Sequence, residues 1–292
     1  MSLINYYIIH CNNHNERLNN IENNIKSVIP ELEIWDGTCV TTIEPNISNQ
    51  FKRYDTNIEY DPKFFNIKYP GQIGCYLSHH LLVKNILNNL PTTGYTLILE
   101  DDIEIKKELK TKLHNIINSG VNFDIIFLGL IHDYKQTNNK LLYELPNDCV
   151  EGKGTHSLFI CNKNAGKLYK ENCFPKGPID VHYGILSVHK KINCYFIYPY
   201  LCNQMRTQFA STIQCISTRK NSRKNIRPSI NYTTYADKVR LKEQQASQAP
   251  KAPKAPKAPR APKAPRAPKL EQQKTIKCIR KKTNKKPFKS KQ

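Results

Sequence analysis

Three consecutive carboxylates, Glu100-Asp101-Asp102, follow directly on the strand-like run Thr96-Leu97-Ile98-Leu99. A buried strand has no use for them, because each ion removed from water costs several kcal/mol unless it is paired. At the carboxyl end of a central strand in an α/β sheet they would open on the crevice where such sheets bind ligands, facing a ligand or a metal it carries. They would equally suit a solvated turn, and these residues alone favour neither reading. Asp180 follows the loop Pro175-Lys-Gly-Pro178, where an acid on its own reads as a loop cap. His182 is two residues further on, within reach of a metal or simply packed. Ser78-His79 opens an apolar helix, where capping explains the serine. There is no phosphate-cradling G-x-x-x-x-G-K-(S/T), which disfavours a nucleotidyl- or phosphoryl-transferring enzyme. The ten cysteines form no C-x-x-C pair, so neither a zinc knuckle nor a compact disulfide framework is expected, and most should be free, buried thiols.

The elements that must position these groups alternate in type, as in an α/β domain. Ile4–Ile9 reads as a first strand, and Leu18, Ile21, Ile25 and Val28 or Ile29 recur at helical spacing. Residues 31–35 make a second strand closed by Asp36-Gly37. Residues 38–70 carry no clear pattern. After Gly71 and Gly74 an apolar helix runs over 76–90, halted by Pro91. The strand ending in the acids comes next, then a helix with Ile105, Leu109, Leu113 and Ile117 on one face. Asp124–Gly129 is a further strand, expected to lie parallel beside the acid-bearing one. Strands at 157–161 and 193–200 enclose a short helix at 163–169 and the Pro-rich loop.

Charge separates the chain into two parts. Residues 1–218 hold 21 basic and 21 acidic side chains, whereas residues 219–292 hold 24 basic and 3 acidic, which is the whole net charge of +21. Ala249–Lys269 is seven tandem copies of Ala-Pro-(Lys/Arg). Proline at every third position forbids helix and ladder and favours polyproline II, a rod of roughly 65 Å at about 3.1 Å per residue with its cations on one edge. We expect a domain over 1–217, a polar linker over 218–248 and a disordered basic tail over 249–292. Phosphate backbones, acidic glycans or an anionic surface would attract such a tail, with strong salt dependence. The repeats hold no aromatic residues for base stacking. No run approaches a membrane span, and the N-terminus lacks a basic region and a cleavage site, so synthesis in the cytosol is expected.

Several stretches, in order, resemble glycosyltransferase family 25, the family of bacterial lipooligosaccharide and collagen hydroxylysine galactosyltransferases. They are Ile4–Ile9 with Asn12 and Glu16-Arg17, Trp35-Asp36-Gly37, Gly71-Gln-Ile-Gly-Cys-Tyr-Leu-Ser-His79, Leu97-Ile-Leu-Glu-Asp-Asp-Ile103, Asp124–Gly129, Gly154-Thr155 with Asn164-Ala165-Gly166, and Pro178-Ile-Asp180. The G-x-I-G-C-x-x-S-H and L-E-D-D blocks are specific together. The resemblance covers about residues 3–215 and not the tail. It implies a GT-A-type nucleotide-sugar-binding domain with a mixed, mainly parallel sheet, a UDP-galactose or UDP-glucose donor, a divalent metal and inversion at the anomeric carbon. Within it Asp102 is the expected metal ligand, with Mn²⁺ favoured over Mg²⁺. Glu100 and Asp101 would hold the ribose or orient the donor, and His79 would touch the donor or make a structural hydrogen bond. Arg17, Asp36 and Gly37 would grip the nucleobase, and Asp180 would be the base. The acceptor would be a glycan or a collagen-like protein. The luminal signal peptide and retrieval signal of the collagen enzymes are missing, which fits cytoplasmic work, as in bacteria or a large DNA virus. The alternative is a degenerate GT-A scaffold that binds polyanions through its tail.

Overall fold

The structure is a computed structural model that describes residues 3–209 apart from Asn13, Asn66, 132–139 and 146–153. The chain divides into two units, Met1–Gln248 and Ala249–Gln292, and every described residue lies in the first. The expected linker and repeat tail lie outside the described residues.

Strand β1 (Ile4–His10) leads into helix α1 (Asn15–Asn20), which continues through a π-type turn (Ile21–Ile25) into α2 (Lys26–Val28). Ile21, Ile25 and Ile29 are buried on one face, as their spacing predicts. β2 (Glu33–Asp36) is an exposed edge strand. α3 (Ile47–Lys52) falls in the unpatterned stretch. It is a short helix started by the Asn46 side chain, which accepts from Asn49 N at 3.1 Å.

α4 (Pro70–Asn89) begins six residues before the expected start. Pro70 occupies the first turn, and Gln72 Oε1 reaches back to Lys68 N (2.9 Å) and Tyr69 N (3.1 Å), satisfying donors at the helix entry. Both glycines are therefore helical. Gly74 lets the helix touch the loop after β2, for a Cβ there would lie 2.4 Å from Thr38 O. Ser78 is no cap either. It sits mid-helix, donates to Gly74 O (2.8 Å) and accepts from Thr38 N (2.8 Å), locking the same contact.

β3 (Tyr95–Glu100) is followed by β4 (Ile103–Ile105), so Ile105 belongs to a strand and not to the following helix, α5 (Leu109–Asn118). Then come β5 (Ile125–Phe127), β6 (Tyr143–Glu144), β7 (Ser157–Cys161), α6 (Ala165–Asn172), α7 (Ile179–Val188), β8 (Cys194–Phe196) and β9 (Cys202–Gln204). The expected last strand is thus three residues long and is followed by a second, which pairs antiparallel with β4.

The main sheet runs β2-β1-β3-β7-β5-β8-β6. β5 does not lie beside β3. The apolar β7 stands between them and is antiparallel to both, which makes three of the sheet's six pairings parallel and corrects the mainly parallel expectation. The strand–helix–strand pattern gives handedness and direction for a crossover but not adjacency. Both faces are covered, as β3 shows: Ile98 packs with Tyr76, Leu82 and Tyr183 from α4 and α7, while Leu97 and Leu99 pack with Ile21, Ile25 and Leu113 from the opposite layer. Each such side chain contributes about 1.5–3 kcal/mol by burial.

Among the described residues Cys11 and Cys39 form a disulfide, whereas Cys75, Cys161, Cys173 and Cys202 are free thiols. No helix among the described residues is long and apolar enough to cross a membrane.

Candidate active site

Parallel pairing decides what meets the acids. Ile9 of β1 pairs with Glu100 of β3, and His10 pairs with Asp36 of β2. The carboxyl ends of three adjacent strands therefore bring His10, Asp36-Gly37 and Glu100-Asp101-Asp102 to one end of the sheet, the position from which open α/β sheets bind ligands.

The three acids have different partners. Asp101 is buried and clamped: Arg17 Nη1 donates to its Oδ1, and His10 Nδ1 lies 2.8 Å from its Oδ2. Asn20, one turn along α1 from Arg17, donates to Ile103 O (3.1 Å) and Asp101 O (3.4 Å), fixing the backbone of the turn. Asp102 is also buried. It accepts from Gln204 Nε2 at 3.1 and 3.3 Å, lies 3.6 Å from Arg17 Nη2, and through its carbonyl accepts from Met205 N at 2.7 Å. Glu100 accepts from Thr155 Oγ1 (2.7 Å), just before β7, and faces His79 Nε2 (3.2 Å) of α4.

These environments push the carboxyls apart. Burial raises Asp102, the Glu100 charge raises it further, and Arg17 and Gln204 do not compensate, which leaves it at about 6. Burial also pushes Glu100 up, but the hydrogen bonds from His79 and Thr155 outweigh it and hold the group below the ordinary carboxylate range. Asp180, the second residue of α7, accepts from Val181 N at 2.9 Å. Its carboxyl is raised by burial, with the backbone N–H groups of Val181 and Gly154 opposing and the Glu100 charge reinforcing.

Cys75, His79 and Glu100 offer three ligand atoms within 4.8 Å of one another, a grouping that could hold a metal ion. The Cys75 thiol is raised well up by burial and by the charges of Glu100 and Asp180. The surroundings fit a cation. Three carboxylates gather here, Arg17 reaches two of them, Asp101 and Asp102, and the buried His79 Nδ1 has no hydrogen-bond partner.

Of the residues singled out in the sequence, Arg17, His79, Glu100, Asp101 and Asp102 come together, with Asp180 near enough to feel the Glu100 charge. Arg17 is turned inward onto the acids. Asp36 is exposed and accepts from Asn12 Nδ2 (3.1 Å), while the buried Gly37 closes on β1 through its N–H to His10 O (2.8 Å). His182 does not approach the acids. It is buried with its ring edge-on to Tyr76 and accepts from Lys176 N (3.3 Å), and burial takes its pKa down to about 3. Sequence reading missed His10, Thr155, Gln204 and Cys75. His10 carried the same signal as the acids, a polar residue closing an apolar strand. Gln204 carried none, because β9 is three residues long.

No curated protein matches the chain. Residues 3–179 match the family model described as glycosyltransferase family 25 (LPS biosynthesis protein), and the chain, which carries its acid cluster within that span, belongs to this family.

Proposed function

We propose that the protein transfers a hexose, galactose or glucose, from a UDP-sugar to a hydroxyl of a glycan or of a hydroxylysine-type protein acceptor, with inversion and with help from a divalent metal. The observation that carries this reading is the convergence of Glu100, Asp101 and Asp102 with Arg17, His10 and His79 at the carboxyl ends of adjacent strands in a family 25 chain.

Asp102 and Glu100 would hold the metal beside the donor diphosphate, with His79 and Cys75 flanking Glu100. When bound, a hard cation such as Mn²⁺ neutralises charge that develops on the departing diphosphate. Arg17 and His10 hold Asp101 still, so the turn carrying Asp102 keeps its geometry in either protonation state. Asp36 and Gly37 line the end of the sheet where the nucleoside would rest. Asp180 acts as base. The acceptor oxygen attacks the anomeric carbon, its proton passes to Asp180, and the bond to UDP breaks with the electron pair leaving on the β-phosphate. A carboxyl raised by burial is a stronger base than a solvated one.

The test is UDP release from UDP-galactose, UDP-glucose and UDP-N-acetylglucosamine by the full chain, with Mn²⁺ and with chelator. Asp102→Asn should abolish metal-dependent release, whereas Asp180→Asn should lower transfer to acceptor more than donor hydrolysis. Undiminished turnover in Asp102→Asn would sink the metal assignment. The basic segment 219–292, with 24 of the chain's 45 cations, is the part we assign to polyanion contact.

A further inference from the structure

A cavity of about 630 Å³ lies between the loop before α4 and the turn joining α6 to α7, within the range of about 300–1,000 Å³ typical of ligand pockets. Three rings line it: Tyr60, Phe64 and Phe174. Tyr60 is fixed from behind by stacking on Phe51 (5.5 Å between centroids) and by its hydroxyl on Phe65 O. Phe174 is 44% exposed, a large apolar surface left open at the cavity. The two walls are joined by Glu59 N donating to Cys173 O at 2.7 Å. Around the rings stand Glu59, Asp61 and Glu171 against Lys170, Lys176 and Lys191.

We propose that this cavity binds a neutral oligosaccharide and is the acceptor subsite, an inference that rests on the transferase reading. A sugar ring presents an apolar C–H face, which suits an exposed phenyl ring, and a rim of hydroxyls that both donate and accept. Carboxylates accept and ammonium groups donate, so a rim carrying both satisfies such a ligand. The three acids cancel the three lysines, which removes the net attraction a phosphate or nucleic acid would need. The wall leads to the chemistry as well. From Phe174 the chain runs through Lys176, whose N–H is held by His182 Nδ1 of α7 (3.3 Å), to Asp180 four residues on. Whatever fills the cavity is anchored to the element that carries the base.

The experiment is saturation-transfer NMR on the full chain with lactose and maltose as probes, at 50 and 500 mM salt. Phe174 is exposed, so Phe174→Ala should keep its thermal midpoint. Saturation of at least one sugar by wild type, equal at both salt concentrations and reduced at least fivefold in Phe174→Ala, is the expected result. Equal saturation in both proteins, no saturation of either sugar, or binding that falls steeply with salt would overturn the proposal. Donor hydrolysis by wild type, measured in parallel, tests the transferase reading separately. Sugar binding without hydrolysis would refute that reading and keep the cavity as a sugar site.

Discussion

Replacing Arg17 by methionine removes the guanidinium and keeps most of the stem. The side chains of Arg17, Asp101 and Asp102 are 8%, 6% and 6% exposed, so solvent does not screen these pairs as it does at a surface, where the loss would be about 0–1 kcal/mol. Breaking a buried pair from one side costs about 3–5 kcal/mol, because the partner charge is left without compensation. At about 2–4 °C per kcal/mol for a domain of this size, the midpoint should fall by roughly 6–20 °C. The deficit should also depend on pH. Without Arg17 the folded-state pKa of Asp102, already raised to about 6 by burial, rises further above the unfolded value of about 3.9. A group raised on folding contributes stability that is present below its unfolded pKa and lost as pH rises through its folded pKa. The variant should therefore be weakest relative to wild type at pH 8 and recover toward pH 5, where Asp102 takes up its proton. Urea unfolding of the full chain with chelator present, at pH 5 and pH 8, reads both effects. A deficit under 1 kcal/mol at pH 8, or one equal at the two pH values, would show that Arg17 acts through packing and that the charge argument is wrong.

Two further predictions concern the scaffold. Burial raises the Asp55 carboxyl, but His80 (2.9 Å), Asn57 N (3.0 Å), Tyr169 (2.9 Å) and Lys84 (3.1 Å) hold it well below the ordinary range. Asp55→Asn should cost about 1–3 kcal/mol at pH 7. The contribution of a depressed acid is present above its unfolded pKa and lost as pH falls through the folded one, so wild type and variant should converge in acid unfolding below about pH 4. A gap that persists in acid would count against the ion-pair account. Gly74→Ala places a Cβ against the Thr38 carbonyl and should cost about 1–3 kcal/mol despite the better helix propensity of alanine. Because that loop follows Asp36-Gly37, KM for the proposed UDP-sugar donor should rise with it, and a variant as stable and as active as wild type would refute the close-contact argument.

What the sequence disclosed, and what it withheld, follows from the range of the interactions involved. The Ile21, Ile25 and Ile29 face was readable because a helix writes its burial into its own spacing. The acids were readable for the opposite reason, since they break an apolar run where a core has no place for them. The insertion of β7 between β3 and β5 was not readable, because an apolar strand of five residues suits any central slot and the choice among slots is made by pairing with strands distant in sequence on both sides. The roles within the acid run were hidden for the same reason. Glu100, Asp101 and Asp102 are neighbours in sequence, yet their partners come from α4 and the segment before β7, from β1 and α1, and from β9. Three like side chains thereby receive three different electrostatic settings: one held low, one clamped, one raised to about 6. Local sequence can place such a cluster at the end of a strand. Which of its members is left to meet a ligand is decided by the distant partners that have already engaged the others.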